Sequence, residues 1–92
     1  MNLMEAIIKN ESLEEVVAVF ALKVGYPLID RSYVMYGEGR FSNLDVLSMY
    51  QRLVDEGVLV RAEQNAIKGP NWKEPAFVSE RKYDGYVKND AS

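Results

Sequence analysis

The 92-residue chain contains no cysteine and no histidine. Without cysteine it has no disulfide bond, no thiolate zinc site and no thiol nucleophile. Without histidine it lacks the base of Ser-His-Asp and Cys-His catalysis and the side chain that titrates nearest to neutral pH. These absences exclude most classes of enzyme. We expect a protein that is not an enzyme and that binds no metal or other cofactor.

Long apolar runs are absent too, since none reaches the roughly 18 residues that a membrane-spanning helix needs. The first five residues lack the basic start of a secretory signal peptide. We therefore expect a cytoplasmic protein that does not enter membranes. The length is that of one domain, 1–92, and 48% of the residues are apolar, which is enough to form a hydrophobic core.

Two helices are predicted near the start of the chain. The first is short and covers Asn2–Lys9. Ser12, with Glu15 three residues later, forms a capping box that begins a second helix, Leu13–Val24, and Gly25 follows as its stop. A strand is the alternative for this apolar, β-branched segment, but the capping box favours a helix.

The next segment allows two interpretations. Pro27 can open a helix that ends at Gly37, whereas Arg31–Tyr36 alone can form a short strand. We favour the helix. A more strongly marked helix follows, with Ser42 as N-cap, Asp45 three residues on, and Gly57 as its stop.

Helical spacing gives this last helix two faces. The predicted buried face consists of Val46, Leu47, Tyr50, Leu53 and Val54. The predicted exposed face consists of Asp45, Ser48, Gln51, Arg52, Asp55 and Glu56. An amphipathic helix of this kind packs one side on a core and presents the other to solvent or to a partner.

The residues after Gly57 are predicted to form a β-hairpin and a tail. Val58–Val60 and Pro75–Val78 are short runs typical of strands, and the Gly-Pro-Asn cluster between Gln64 and Glu74 favours a long connecting loop. Residues 82–92 are polar at their end, and we expect them to form a partly flexible tail. The fold class is therefore α+β, with three or four helices and a C-terminal hairpin.

In this order of elements, residues 12–79 resemble a winged helix-turn-helix domain. The segment Leu47-x-x-Tyr50-x-x-Leu53-Val-Asp-Glu-Gly57-Val-Leu-Val60 is similar to the third helix of that family leading into the first wing strand. The turn before the helix, 37–41, is longer than the three or four residues that the family's motif has. The resemblance implies a scaffold that serves either DNA or protein contacts.

If this domain bound DNA, the resemblance implies that the third helix would present Ser48, Gln51 and Arg52 to the major groove. The exposed face of that helix, however, carries one cation, Arg52, against three carboxylates. Such a balance opposes the phosphate contacts that supply most DNA affinity.

Only residues 58–82 carry an excess of cations, five against three carboxylates. Lys68 and Lys73 are the candidate phosphate contacts there, and Trp72 could stack on a base. The alternative for Trp72 is that it covers one end of the core, because a single tryptophan is a large part of the apolar area of so small a domain. DNA binding by a transcriptional regulator is thus the second of two functional hypotheses.

The first hypothesis is binding to another, basic protein. The chain has 14 acidic and 11 basic residues, and Glu14 and Glu15 together with Asp45, Asp55 and Glu56 are the candidate acidic surface. Small acidic inhibitors, antitoxins and immunity proteins neutralise basic toxins and nucleases through such surfaces. Solubility alone also explains a net charge of −3.

Tyrosine is enriched where proteins bind one another, and the chain has six. We assign Tyr50 to the core. Tyr33 and Tyr36, or else Tyr83 and Tyr86, are the interface candidates, and the alternative is that they close the core.

Overall fold

Four helices, a β-hairpin and a short fifth helix follow one another in the computed structural model, which describes residues 2–85. The elements are α1 (Leu3–Asn10), α2 (Leu13–Ala21), α3 (Tyr26–Tyr36), α4 (Asn43–Asp55), β1 (Leu59–Arg61), β2 (Ala66–Lys68) and α5 (Ala76–Ser79). The described part of the chain is therefore α+β, as predicted, but it has five helices instead of three or four, and α5 follows the hairpin.

Side chains cap the starts of α1 and α2. The Asn2 side chain accepts a hydrogen bond from the backbone N–H of Glu5 (2.8 Å). The Ser12 hydroxyl accepts one from the backbone N–H of Glu15 (3.2 Å) and donates one to the Glu15 carboxylate (2.9 Å). Each cap satisfies a backbone donor that the first helical turn leaves without a partner. The predicted start of α2 at Leu13 is confirmed, but the capping box is incomplete, because the Glu15 carboxylate accepts from the Ser12 hydroxyl and not from its N–H. Helix α1 begins one residue later than predicted, with Asn2 as its N-cap.

Helix α2 ends earlier than predicted, at Ala21 and not near Val24. The N–H groups of Leu22 and Lys23 bond to carbonyl oxygens three residues back, at 3.3 and 2.9 Å. This tighter winding closes the helix before the chain reaches Gly25.

Residues 27–36, for which both helix and strand were open, are helical as part of α3. Pro27 lies in the first turn, where its missing N–H would have no helical partner in any case. Gly37 ends the helix. A Cβ at Gly37 would lie 2.5 Å from the Tyr33 carbonyl oxygen, so a larger residue would force the turn apart. Residues 37–42 then lead into α4.

Helix α4 begins with the predicted capping box. The Ser42 hydroxyl accepts a hydrogen bond from the Asp45 N–H (3.1 Å), and the Asp45 carboxylate accepts one from the Ser42 N–H (2.9 Å). Val46, Tyr50 and Leu53 are buried, as predicted. Those three residues lie within about 60° on the helical wheel, which centres the buried face on them.

The prediction that Leu47 is buried is wrong, because its side chain is 36% exposed. At 100° per residue it lies about 100° from Val46, at the edge of the buried face. Val54, on the same side of the helix, is half-buried.

The end of α4 is joined to the loop after the hairpin. Gly57 has a φ of 78°, a left-handed conformation that favours glycine. The Asn71 side chain donates to the carbonyl of Glu56 (2.8 Å), and the Asn71 N–H donates to that of Gly57 (2.9 Å). A Cβ on Gly69 would lie 2.2 Å from the Gly57 carbonyl oxygen. These contacts place the loop that carries Trp72 against the helix end.

The predicted second strand is wrong. β1 pairs antiparallel with β2, Val60 opposite Ile67, and residues 62–65 form the turn. Pro75–Val78 instead contributes to α5, with Pro75 as its N-cap and Phe77 buried. An apolar run of four residues fits a helical turn as well as a strand, and proline has no N–H for a β-ladder.

The hydrophobic core surrounds α2, which packs against α1, α3 and α4. Val16, Val17 and Ala21 of α2 are inaccessible to solvent, as are Ile8 of α1 and Ile29 of α3. Such a helix, apolar on nearly every side, is a central element.

The start of the predicted tail is bound to the core. Tyr83 is buried and packs edge-to-face on Phe77, with ring centroids 5.8 Å apart. The Tyr83 hydroxyl and the Lys82 ammonium, the latter at 2.8 Å, both donate to the Glu11 carboxylate. The remaining residues of that predicted tail, 86–92, which include the interface candidate Tyr86, lie outside the described residues.

Tyr33, for which both an interface and the core were open, lies in the core at 3% exposure, edge-to-face with Phe41. Its hydroxyl is buried and has no hydrogen-bond partner among residues 2–85. Burial raises the pKa of Tyr33, so the hydroxyl stays protonated at all physiological pH values.

We expect Tyr33→Phe to stabilise the protein by about 1 kcal/mol, because the substitution removes a hydroxyl that loses its water on folding and gains no partner. Tyr83→Phe is the matched control and should destabilise, because the Tyr83 hydroxyl does donate to Glu11. Urea unfolding midpoints measure both. A Tyr33→Phe midpoint below that of the wild type would contradict this description.

A second prediction concerns pH. Desolvation raises the pKa of Glu11, but the hydrogen bonds from Lys82 and Tyr83 and the Lys82 charge outweigh it, so the net pKa lies below its ordinary 4.5. A lowered pKa in the folded state stabilises the protein above pH 4.5, and this stabilisation is lost as the pH falls through the folded-state value.

We therefore expect Glu11→Gln to lower the urea midpoint at neutral pH and to differ less from the wild type at about pH 3, because the stabilisation by the Glu11 carboxylate is lost as the pH falls towards its folded-state pKa. Glu63→Gln, in the exposed hairpin turn, should match the wild type at both pH values. If Glu11→Gln lowered the urea midpoint equally at the two pH values, the charge of the Glu11 carboxylate would not be the source of the stabilisation.

Candidate functional site

The exposed side of α4 is the first candidate surface. Every residue predicted for this side is exposed: Asp45, Ser48, Gln51, Arg52, Asp55 and Glu56. Two leucines are exposed as well, Leu44 at 69% and Leu47 at 36%. The helix thus presents polar, acidic and apolar groups together.

Arg52, the one cation of α4, is already paired. Its Nε donates to the Glu56 carboxylate at 2.9 Å. This hydrogen bond raises the pKa of Arg52, with smaller contributions from the charges of Glu56 and of Glu14 on α2. The pair spans one helical turn, the usual geometry of an i,i+4 contact. A phosphate would have to compete with a carboxylate for this guanidinium.

The predicted acidic residues fall into separate groups. Asp45 is occupied by its helix cap and lines a shallow cleft with Ser48 and Arg52. Glu14 and Glu15 line a different cleft, of about 730 Å³. The Asp55 carboxylate makes no ion pair within residues 2–85. The five carboxylates therefore do not form one patch.

The cleft beside α2 contains both signs of charge. Lys73 and Glu74 line it together with Glu14 and Glu15, above a floor formed partly by Leu53. Three carboxylates thus accompany the one lysine, so Lys73 lies in acidic surroundings.

The candidate nucleic-acid contacts are also dispersed. Lys68 lines a groove with Trp72, Lys73 lines the acidic cleft, and Ser48 and Arg52 line the shallow cleft on α4. These side chains thus line three different clefts. A basic surface that follows a phosphate backbone needs its cations side by side.

Trp72 and Tyr36 keep part of their surface exposed, unlike Tyr33. Trp72 is half-buried against the core, and the Lys68 ammonium lies 5.4 Å from its ring centroid. Tyr36 is half-buried, and its hydroxyl accepts a hydrogen bond from the Asn2 side chain (3.0 Å). Trp72 therefore covers part of the core, as one alternative predicted, while stacking on a base stays a prediction for its exposed part.

Sequence reasoning missed an apolar surface on two consecutive helices. The exposed apolar residues are Leu28, Val34 and Met35 on α3 and Leu44 and Leu47 on α4, which we call the α3–α4 surface. Helical spacing could have placed Leu44 opposite the buried stripe, since it lies about 160° from Val46 on the wheel.

The start of α3 joins this surface to α4. Leu47 lines a cleft with Tyr26 and Pro27, and the Tyr26 hydroxyl donates to the Asn43 carbonyl (3.3 Å). Leu47 of α4 thus lies beside the first turn of α3. Exposed apolar side chains on two neighbouring helices are a feature of protein-binding sites.

No group of three or more metal-ligating carboxylates occurs within residues 2–85. None of the helices described is both long and apolar enough to cross a lipid bilayer. Comparisons with protein-family models, with curated proteins and with solved structures found no significant match for the chain.

Proposed function

We propose that this chain is a protein-binding module that binds its partner through the α3–α4 surface. One observation supports the proposal above the others: α4 exposes two leucines, while its only cation is paired with Glu56. Covering exposed apolar side chains with another protein removes them from water and so favours binding. A DNA groove, by contrast, offers chiefly phosphates and polar base edges.

The partner we propose is basic. Asp45 directly follows Leu44, Asp55 and Glu56 lie farther along the exposed side of α4, and Glu14 of α2 lies close enough to influence Arg52. Acidic groups on the same helix as exposed apolar side chains steer a basic partner and fix its orientation, while the apolar contacts supply affinity. Inhibitors, antitoxins and immunity proteins that neutralise a basic toxin or nuclease in the cytoplasm have these properties, and we place the chain in that functional class.

DNA binding by a winged-helix regulator is the alternative. The order α3, turn, α4 and hairpin supports it, as do Lys68 and Lys73, which have no carboxylate partner among residues 2–85. The dispersal of the cations favours the protein-binding hypothesis.

The test is capture of the partner by three immobilised baits in a lysate of the cell that makes the protein, at low salt. The baits are the wild type, Leu44→Arg, and the control Ile67→Arg, which also replaces an exposed apolar residue but on the hairpin. We expect one basic protein to be retained by the wild type and by Ile67→Arg. Leu44→Arg should retain less than a tenth as much, because a charge there would be buried.

A partner that binds Leu44→Arg as well as the wild type would contradict the proposed surface. A retained partner of acidic surface would contradict the proposed class. Because Leu44 is 69% exposed, its substitution should leave the fold intact, and circular dichroism checks this for each bait.

A further inference from the structure

A groove lies between the first two helices and the segment from Lys68 to Asp84. No residue of α3 or α4 lines it. Its volume is about 300 Å³, within the range of small-molecule sites. Leu3 and Ile7 of α1, Val19 of α2, and Phe77 and Val78 of α5 form its apolar walls. A second apolar groove of about 190 Å³ shares Leu3, Ile7 and Val19 and extends the first one.

The walls contain apolar side chains that the core does not fully cover. Leu3, Val19, Leu22, Trp72 and Val78 are each half-buried. Their exposed parts line one concave surface. Apolar surface left open in a concavity is a common feature of ligand sites, because a ligand removes it from water on binding.

The charges lining the groove have the opposite balance to the rest of the chain. Three cations line it, Lys23, Lys68 and Arg81, with two carboxylates, Glu74 and Asp84. Arg81 pairs with Asp84 at 2.6 Å. The Lys23 ammonium has no hydrogen bond or ion pair within residues 2–85, and the Lys68 ammonium has no ion pair there and lies over the Trp72 ring. The groove therefore has two lysines, Lys23 and Lys68, next to its apolar walls, and neither forms an ion pair with a carboxylate within residues 2–85.

We propose that this groove binds a small amphipathic carboxylate. The apolar part of the ligand lies along Leu3 and Val19, and its carboxylate is bound by Lys23 and Lys68. An anion gains a charge-assisted contact with each ammonium. A cation of the same shape would meet these lysines as like charges. The site is separate from the α3–α4 surface, so each proposal can fail without the other.

Trp72 makes the site directly measurable. It is the only tryptophan in the chain, and it lines the groove. Full-length protein is titrated with sodium decanoate below its micelle concentration while tryptophan emission is recorded. Decyltrimethylammonium, which has an equally long chain and the opposite charge, is the comparator. We expect a saturable change with decanoate, at one site per chain by calorimetry, and at least tenfold weaker binding of the cation.

Variants locate the site. Lys23→Gln and Lys68→Gln should each weaken decanoate binding about two- to fivefold, the range for exposed charge contacts. Leu22→Glu introduces a carboxylate into the groove and should abolish binding. Leu44→Glu, on α4, should bind decanoate as the wild type does. Circular dichroism verifies that each variant is folded.

Equal affinity for decanoate and decyltrimethylammonium would overturn the proposal, as would no saturable binding of decanoate. Unchanged decanoate binding by a folded Leu22→Glu variant would also overturn it. The comparison of the two detergents needs only the wild type, so the proposal can be refuted even if Leu22→Glu does not fold.

Discussion

The burial of α2 determines how the other elements can be arranged. Val16, Val17 and Ala21 are inaccessible to solvent, so α1, α3 and α4 must each give α2 an apolar stripe. For α4 that stripe is centred on the residues from Val46 to Leu53. A straight helix buries one stripe, and Leu44 lies on the opposite side of the wheel. The exposure of Leu44 is therefore a consequence of how the core is formed, because Leu44 cannot face the core unless α4 turns Val46 and Leu53 away from α2.

Local signals in the sequence predicted the helices well. Ser42 and Asp45 cap α4, and Ser12 caps α2, through contacts within three residues. The hairpin was harder to predict, because β2 depends on contacts distant in sequence. Gly69, which follows β2, lies so close to the Gly57 carbonyl that only a residue without a Cβ fits there. The segment Ala66–Lys68 alone has no alternating pattern that predicts a strand. Nor could periodicity alone decide whether Pro75–Val78 was helix or strand.

For the candidate sites too, features that depend on local sequence could be predicted and features that depend on tertiary packing could not. The sequence gives the number and sign of the charges, and the exposed residues of α4 were predicted on that basis. It does not give the pairing of Arg52 with Glu56 or the separation of Lys68 from Lys73, which depend on how helices and loops pack. The position of Trp72 is likewise set by the contact of Asn71 with the end of α4. Tyr33 shows that composition alone does not predict whether a tyrosine lies in the core or at an interface, because tyrosine occurs in both.

One equilibrium measurement distinguishes most directly between the two hypotheses, protein binding through the α3–α4 surface and DNA binding. Fluorescence anisotropy of a labelled random-sequence duplex is followed as the wild-type protein is added, at about 50 mM and 200 mM salt. We expect no binding at either concentration, since the cation of α4 is neutralised and the other cations are dispersed. Binding at the lower salt that falls by orders of magnitude at the higher, and that Lys68→Ala weakens, would contradict this conclusion.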